Sequence, residues 1–185
     1  MCNAGPTCIA QLKKFKVAAN QIPYSLIWRI AEKEIIPASV SAGVPVWAYV
    51  PLAQGLLTGK YRSIDDVPMG RRETRFYSGA WKQGRHSDPG FEKDIFAFID
   101  ILMSFCERTG YMPAQIAMNF LKRKDAVFSI LMGARSIRQL EQNLEAYETV
   151  VPDDLMDEIE KKSDPLKELM GNNADLWEGN GGRFF

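Results

Sequence analysis

Histidine is almost missing from this chain: His86 is the single one among 185 residues. It lies in "KQGRHSDPG", a stretch without helical or strand periodicity, where a lone histidine reads as a solvent-exposed residue rather than a catalyst. Cysteine is scarce and odd in number, at Cys2, Cys8 and Cys106. Their spacing fits no metal motif, so a reduced, cytoplasmic setting is expected. Charge of either sign is not in excess, since Lys plus Arg and Asp plus Glu both number 23. That balance argues against a nucleic-acid surface, which shows as a basic surplus. The local cluster "GRRETR" reads as a solvated loop. No apolar run approaches the roughly 18 residues needed to span a bilayer, so no transmembrane segment is expected. The N-terminus has no basic start followed by an apolar block, and no signal peptide is read. No G-x-G-x-x-G occurs, which leaves a Rossmann dinucleotide fingerprint unsupported.

What the chain does contain is an alternation of short apolar runs and helical periodicity. "PTCIAQLKKF" (6–15) predicts a short helix and "KVAANQ" (16–21) a short strand. "YSLIWRIAEKEIIPASVSAG" (24–43) predicts a helix kinked or restarted at Pro37 and stopped at Gly43. "VPVWAYVPL" (44–52) is rich in β-branched and aromatic residues and predicts a strand. Residues 53–90 carry many Gly, Pro, Arg and Asp and read as one long loop, a length usually functional or disordered. "FEKDIFAFIDILMSFCERTG" is an amphipathic helix with Ile95, Phe98, Ile99, Leu102, Phe105 and Cys106 on one face. A helix from Pro113, a strand in "AVFSILMGA", a helix in "SIRQLEQNLEAYE" and a last helix over 152–170 follow. The tail from Gly171 to Phe185 reads as irregular, with Leu176 and Trp177 as anchors. The βαβα order predicts an α/β fold with a parallel sheet covered by helices, one domain over 1–185 that is short of the typically about 250 residues of a complete (β/α)₈ barrel and reads equally as an open doubly wound sheet. "MCN" reads as the end of one further strand.

Three strand ends carry polar residues. In "SILMGARSIRQLEQN", Ile137, Leu140 and Leu144 fall on one helical stripe, the buried one by pattern. Arg135, Gln139 and Asn143 form a neighbouring polar stripe beside Gln142. Gly133 allows close backbone approach, and a helix start suits an anion. The same stripe also reads simply as a solvated face. In "AYVPLAQGLLTGKY", Tyr49 can stack on a ring, and the turn and Lys60 can meet phosphates. The competing reading is a structural turn with a surface lysine. In "ANQIPYS", the amides of Asn20 and Gln21 can bond a planar ligand edge or cap a following helix.

Taken together, the motifs "NQIPYSLIWR", "VWAYVPLAQGLLTGKY", "MGARSIRQLEQN" and the tail "DLW" resemble the aldo-keto reductase family over nearly the whole chain. That resemblance implies the C-terminal half of a (β/α)₈ TIM barrel, strands five to eight with their helices, binding NADP(H) across the carboxyl rim. By motif, Asn3 and Gln21 resemble residues that hold the nicotinamide carboxamide, and Tyr49 the aromatic stacked on the nicotinamide ring. Val50, Pro51, Leu52, Ala53, Gln54 and Lys60 resemble the pyrophosphate loop. Arg75 in "ETRF" resembles a basic residue of the loop that folds over the cofactor. Gly133, Arg135, Gln139, Gln142 and Asn143 resemble the site for the adenosine and its 2′-phosphate. Three positions depart from the pattern: Cys2 and Val50 stand where Ser is common, and Met112 where a Ser or Thr cap is frequent.

The family's Asp, Tyr, Lys and His catalytic set belongs to the first half of the barrel, and no match to it is found here. Two functions follow as expectations, beside a third reading in which the chain is a truncated fragment with no stable function of its own. One is the cofactor-binding portion of a carbonyl or alcohol oxidoreductase. The other is a non-catalytic regulatory subunit similar to the potassium-channel β subunits, whose loop "YVPLAQGLLTGKY" resembles. A half barrel has open strand edges, so self-association or pairing with a first half is expected.

Overall fold

A computed structural model describes residues 1–12 and 14–178; the last part of the expected irregular tail, 179–185, lies outside the described residues. Three strands, β1 (Asn20–Pro23), β2 (Val46–Tyr49) and β3 (Val127–Leu131), form a parallel sheet in the order β1-β2-β3. Asn20, Gln21, Ile22 and Pro23 lie beside Val46, Trp47, Ala48 and Tyr49. The second pair shifts register between Val46 and Trp47, then aligns Trp47 with Ser129 and Tyr49 with Leu131. "MCN" extends the sheet as read: Cys2 bridges Gln21 in parallel, with Gln21 N–H donating to Met1 and Asn3 N–H to Gln21.

The helices are α1 (Pro6–Leu12), α2 (Ile35–Ser41), α3 (Glu92–Thr109), α4 (Pro113–Lys122), α5 (Ile137–Glu148) and α6 (Asp153–Leu169). Buried Ile22, Val46 and Ala48 join one core with Ile95, Ile99 and Leu102 of α3, Ile116 and Phe120 of α4, and Met156 and Ile159 of α6. The alternate sheet positions differ. Gln21 and Tyr49 are half-buried, and Trp47 is exposed. A parallel sheet normally has both faces covered; here one face has helices on it and the other is open among the described residues.

The structure corrects the sequence reading in three places. No long helix spans 24–43. Ser25 and Trp28 exchange backbone hydrogen bonds in a tight turn, Ile30–Glu32 is a 3₁₀ turn, and only Ile35–Ser41 is α-helical. Leu26, Ile27, Trp28 and Ile30 are all buried. Arg29 bonds Glu32 and α6 rather than facing solvent, so this stretch fills the core instead of forming a surface helix. Pro37 falls in the first turn of α2, where its missing N–H costs nothing, so the helix restarts there, one of the two outcomes read for it, and is not kinked. The long loop contains 3₁₀ turns at Ala53–Thr58, Ile64–Asp66 and Met69–Arg71 and buries Tyr61, Val67, Phe76 and Tyr77. Finally, α5 is inverted. Ile137, Leu140 and Leu144 are 78%, 46% and 43% exposed, while Asn143 and Ala146 are buried. Within the described residues the apolar stripe has nothing to pack on.

One buried cation ties the turn after β1 to α6. Arg29 is buried, and its Nε donates to Glu32 Oε1 at 2.9 Å. Its Nη1 donates to the Glu160 carbonyl at 3.0 Å, Ser163 Oγ at 2.7 Å and Asp164 Oδ1 at 2.8 Å; its Nη2 donates to Glu32 Oε2 at 2.9 Å and Glu160 Oε1 at 3.2 Å. Tyr24 donates to Glu32 at 2.7 Å, and Lys167 pairs with the same carboxylate. Burial pushes the Glu32 carboxyl up, but the hydrogen bonds from Arg29 and Tyr24 and the Arg29 charge outweigh it and leave it below its ordinary value.

Removing one partner of such a cluster strands buried charge. Arg29→Ala is expected to cost about 3 kcal/mol or more, read as a lower urea midpoint. A carboxylate with a lowered folded pKa contributes stability above its unfolded pKa, and that contribution is lost as the pH falls through the folded value. Glu32→Gln is therefore expected to be less stable at pH 7 and to lose less stability than wild type on acidification through the carboxylate range. Parallel acid limbs for the two proteins contradict this.

Candidate functional site

In a parallel sheet all carboxyl ends lie on one rim, and the connections leaving that rim carry the polar residues singled out above. After Cys2, Asn3 adopts a left-handed φ of 53°. Its Oδ1 accepts from the Tyr49 hydroxyl at 3.1 Å, which brings the end of the first strand-like segment to the end of β2. The Asn3 amide N–H₂ makes no hydrogen bond among the described residues. Gln21 beside it keeps its side chain half-exposed. Burial raises the Tyr49 phenol above its ordinary pKa, so it stays a neutral donor. Asn20 takes neither of the roles read for it. It is buried and bonds the Ala4 backbone from both ends of its amide, at 2.9 and 3.1 Å.

The connection after β2 is strained. Val50, Ala53 and Gln54 have φ of 54°, 46° and 57°, and Gly55 follows at 100°. A left-handed β-branched residue is a true outlier, costing on the order of 1–3 kcal/mol. Surrounding bonds hold the segment there. Ala53 N–H donates to Val50 and Gly55 N–H to Leu52, both at 2.8 Å. Arg71 Nη1 donates to the Gln54 carbonyl at 3.1 Å, and Thr74 Oγ1 to Gln54 Oε1 at 3.3 Å. Pairing Leu52 near the right-handed region with left-handed Ala53 turns successive N–H groups to one side, a concavity that suits anions. Lys60 folds over this loop. A Cβ on Gly55 would meet Lys60 Cε at 2.6 Å and Nζ at 2.7 Å, so glycine is required for the lysine to lie there. Lys60 is exposed and makes no ion pair among the described residues.

The connection after β3 is built differently. Ser136 caps α5 by accepting from Gln139 N–H at 3.2 Å. Gln139 Oε1 accepts from Arg135 N–H at 2.9 Å, and Asn143 Nδ2 donates to the Gly133 carbonyl at 3.2 Å. Two members of the polar stripe thus fasten the 133–135 loop to the helix. The Arg135 side chain and Gln142 are exposed, with no ion pair or side-chain hydrogen bond among the described residues.

Arg75 stands apart from these residues. It is buried, its Nε meets Asp88 Oδ2 at 2.5 Å, and its Nη1 meets the carbonyls of Asn173 and Asp175 at 2.6 and 2.9 Å. "GRRETR" is not a solvated loop: Arg72 is likewise buried and donates to Ile64 and Val67 carbonyls. His86 is half-buried rather than exposed, with Nδ1 accepting from Asp88 N–H at 3.2 Å. The sequence reading missed Arg71 and Thr74 because composition marks an arginine-rich loop without saying which member turns inward. No group of three or more His, Cys, Asp or Glu side chains among the described residues is placed to hold a metal ion.

The fold is an α/β one with a parallel sheet, whose carboxyl rim carries Tyr49, the strained Val50–Gly55 connection, Lys60 and Arg135. The particular kin follow from sequence. The model of the aldo/keto reductase family matches residues 1–164, and the chain belongs to that family. It is 35% identical over 145 residues to Protein tas of Escherichia coli, covering 78% of this chain and 39% of that protein. It is 32% identical over 134 residues to an L-glyceraldehyde 3-phosphate reductase of E. coli, covering 72% and 37%. It is 28% identical over 149 residues to a putative voltage-gated potassium channel subunit beta of Schizosaccharomyces pombe, covering 80% and 41%. The chain therefore spans about two fifths of the length of the curated relatives it matches. No helix among the described residues is long and apolar enough to cross a membrane.

The strain at Val50 is open to test. Val50→Asn, which tolerates the left-handed region, is expected to stabilise the fold by about 1 kcal/mol, seen as a higher melting temperature. An unchanged or lower melting temperature would show that no strain is stored at this position.

Proposed function

We propose that this chain is the NADP(H)-binding portion of an aldo/keto reductase-type oxidoreductase, corresponding to strands five to eight of a (β/α)₈ barrel. The observation that carries the reading is the pairing of two unneutralised cations, Lys60 and Arg135, with a half-buried tyrosine on one rim of the sheet. These residues fit a dinucleotide phosphate. Asn3 has its amide N–H₂ to offer a carboxamide, with Gln21 adjacent, and Tyr49 offers a ring face to the nicotinamide. The N–H groups of the Val50–Gln54 loop and Lys60 suit the pyrophosphate charge. Arg71 supports that loop through the Gln54 carbonyl. Arg135 suits a 2′-phosphate, with Gly133, Gln139, Gln142 and Asn143 framing the adenosine side.

Bound there, the cofactor supplies hydride for exchange with a carbonyl or alcohol. The chain's own residues bind and orient it. Hydride transfer to a carbonyl also needs a proton donor. On the proposed reading that donor, with its Asp, Lys and His partners, comes from the barrel half that this chain does not contain. The open sheet face, the unpaired edge of β3 and the exposed α5 stripe would be covered by that half. A second reading, a non-catalytic regulatory subunit, is favoured by the likeness to the S. pombe protein. It uses the same cofactor contacts.

NADPH fluorescence titration tests the reading, with micromolar binding as the expected result. Arg135→Ala is expected to weaken NADPH by about tenfold or more, since hydrogen bonds to charged groups are worth roughly 1.5–3 kcal/mol, and to leave NADH nearly unchanged. Equal losses for both remove the 2′-phosphate assignment; no NADPH binding by wild type removes the cofactor reading for the chain alone. The uncovered apolar surface also predicts concentration-dependent self-association, so light scattering that reports a monomer at all concentrations would contradict the half-barrel reading.

A further inference from the structure

The two unpaired cations of the rim are held differently. Arg135 extends outward from a fastened backbone, whereas the head of Lys60 lies in a slot. The 3₁₀ turn Ala53–Thr58 ends at Gly59, whose left-handed φ of 78° turns the chain back, and the Lys60 side chain returns over Gly55. A Cβ on Gly55 would lie 2.6 Å from Lys60 Cε, 2.7 Å from its Nζ and 3.5 Å from Tyr61 Cε2. The bare Cα of Gly55 thus forms one wall and the Tyr61 ring the other, with the ammonium 4.6 Å from the ring centroid. Both walls are fixed. Gly55 N–H donates to the Leu52 carbonyl at 2.8 Å, and the Gly55 carbonyl accepts from Thr58 Oγ1 at 2.8 Å. Tyr61 is 7% exposed. Neither wall neutralises the charge. Lys60 is exposed, and its ammonium makes no ion pair or hydrogen bond among the described residues.

We infer that Gly55 and Tyr61 are positioning residues for the Lys60 ammonium: the missing Cβ of one and the ring of the other hold the charge beside the strained loop without cancelling it. The inference rests on the proposed role of Lys60 at the pyrophosphate. A carboxylate partner would also hold a lysine, but it would compete with an anionic ligand for the charge. A ring face attracts a cation through its quadrupole and carries no net charge of its own. The lysine therefore gives up part of its rotamer freedom before a ligand arrives, and its charge stays available. Glycine at 55 then meets two demands, a φ of 100° and an open slot. The atoms that a Cβ would strike are the far end of a flexible side chain. Gly55→Ala is thus expected to expel the lysine head rather than to unfold the loop.

Two measurements on the full chain test this. The first needs no cofactor. In protein made with isotope-labelled lysine, the ε-methylene magnetic-resonance signal of Lys60 is assigned by its loss in Lys60→Met. It should lie upfield of the free-lysine position because of the Tyr61 ring. It should return to that position in Gly55→Ala and in Tyr61→Leu, and stay upfield in Tyr61→Phe, which keeps the ring. A Lys60 signal at the free-lysine position in wild type, or one unmoved by Gly55→Ala, overturns the slot. The second is fluorescence titration with NADPH and with NADH. Gly55→Ala should weaken both about threefold to tenfold, since both carry the pyrophosphate. It should cost nothing further in a Lys60→Met background. An equal loss in both backgrounds overturns the route through Lys60. Should Gly55→Ala not fold, Tyr61→Leu takes its place in both measurements, with an expected loss of about twofold to fivefold. If wild type binds neither cofactor while the ε-methylene signal responds as expected, the cofactor reading fails and the slot stands.

Discussion

Arg29 is the constraint on which much of this structure depends. A guanidinium taken out of water is tolerated only when its donors are matched and its charge is countered. Here Glu32 lies three residues away, while Glu160, Ser163 and Asp164 come from α6, more than 130 residues along the chain. The match therefore cannot be made locally. The turn at Ser25–Trp28 must close, and α6 must dock, before the charge is satisfied. Lys124 adds to the same cluster through Glu160, which draws in the segment just before β3. Once α6 is docked, the chain leaving it is delivered beside Trp28 and Arg75, which bond the carbonyls of residues 173–176.

The other arginines divide a second task. The loop of 59–91 crosses the rim with little regular structure, and its backbone polar groups need partners. Arg72 meets the carbonyls of Ile64 and Val67 and stacks on Trp81; Arg71 meets the Gln54 carbonyl; Arg75 meets the carbonyls of Asn173 and Asp175. Each planar fork adds donors to backbone carbonyls of this loop and of the segment packed on it. This is why the strained Val50–Gly55 segment persists. Left-handed residues survive only where the surroundings over-determine them, and Gln54 is held by its carbonyl, its side chain and the neighbouring turn at once.

Much of this was legible in the sequence, for identifiable reasons. The face of α3 from Ile95 to Cys106 is buried as its spacing predicts, because a long helix with a single apolar stripe has one way to pack. The strand cores of β2 and β3 announce themselves through β-branched and aromatic content, and the polar strand ends through their following glycines. The turn of 24–34 was not legible, since Leu26, Ile27 and Ile30 fall in helical spacing and nothing in the sequence shows that Arg29 is buried against α6. Nor was the inward bonding of the arginines, because composition cannot say which of several cations meets a carbonyl. The inversion of α5 has another cause. Periodicity shows that a helix has an apolar stripe, not that its partner lies within the same chain. Ile137, Leu140 and Leu144 have none among the described residues.

That inversion also sharpens the polar stripe. Arg135, Gln139 and Asn143 share a face by spacing, but they do not share a task. Gln139 and Asn143 spend their amides on the backbone of residues 135 and 133, so they shape the loop rather than wait for a ligand. Arg135 alone of the three keeps its side chain outward, on a backbone held at its own N–H. A flexible cation loses much rotamer entropy when it grips a phosphate; fastening its backbone reduces the part of that cost that comes from the loop. The same economy holds at the other end of the rim, where Asn3 Oδ1 accepts from the Tyr49 hydroxyl and holds it. The rim thus pairs rigid supports with a few free charges, an arrangement suited to holding an extended anionic ligand at both ends. In such a site binding is set by the supports as much as by the groups that touch the ligand.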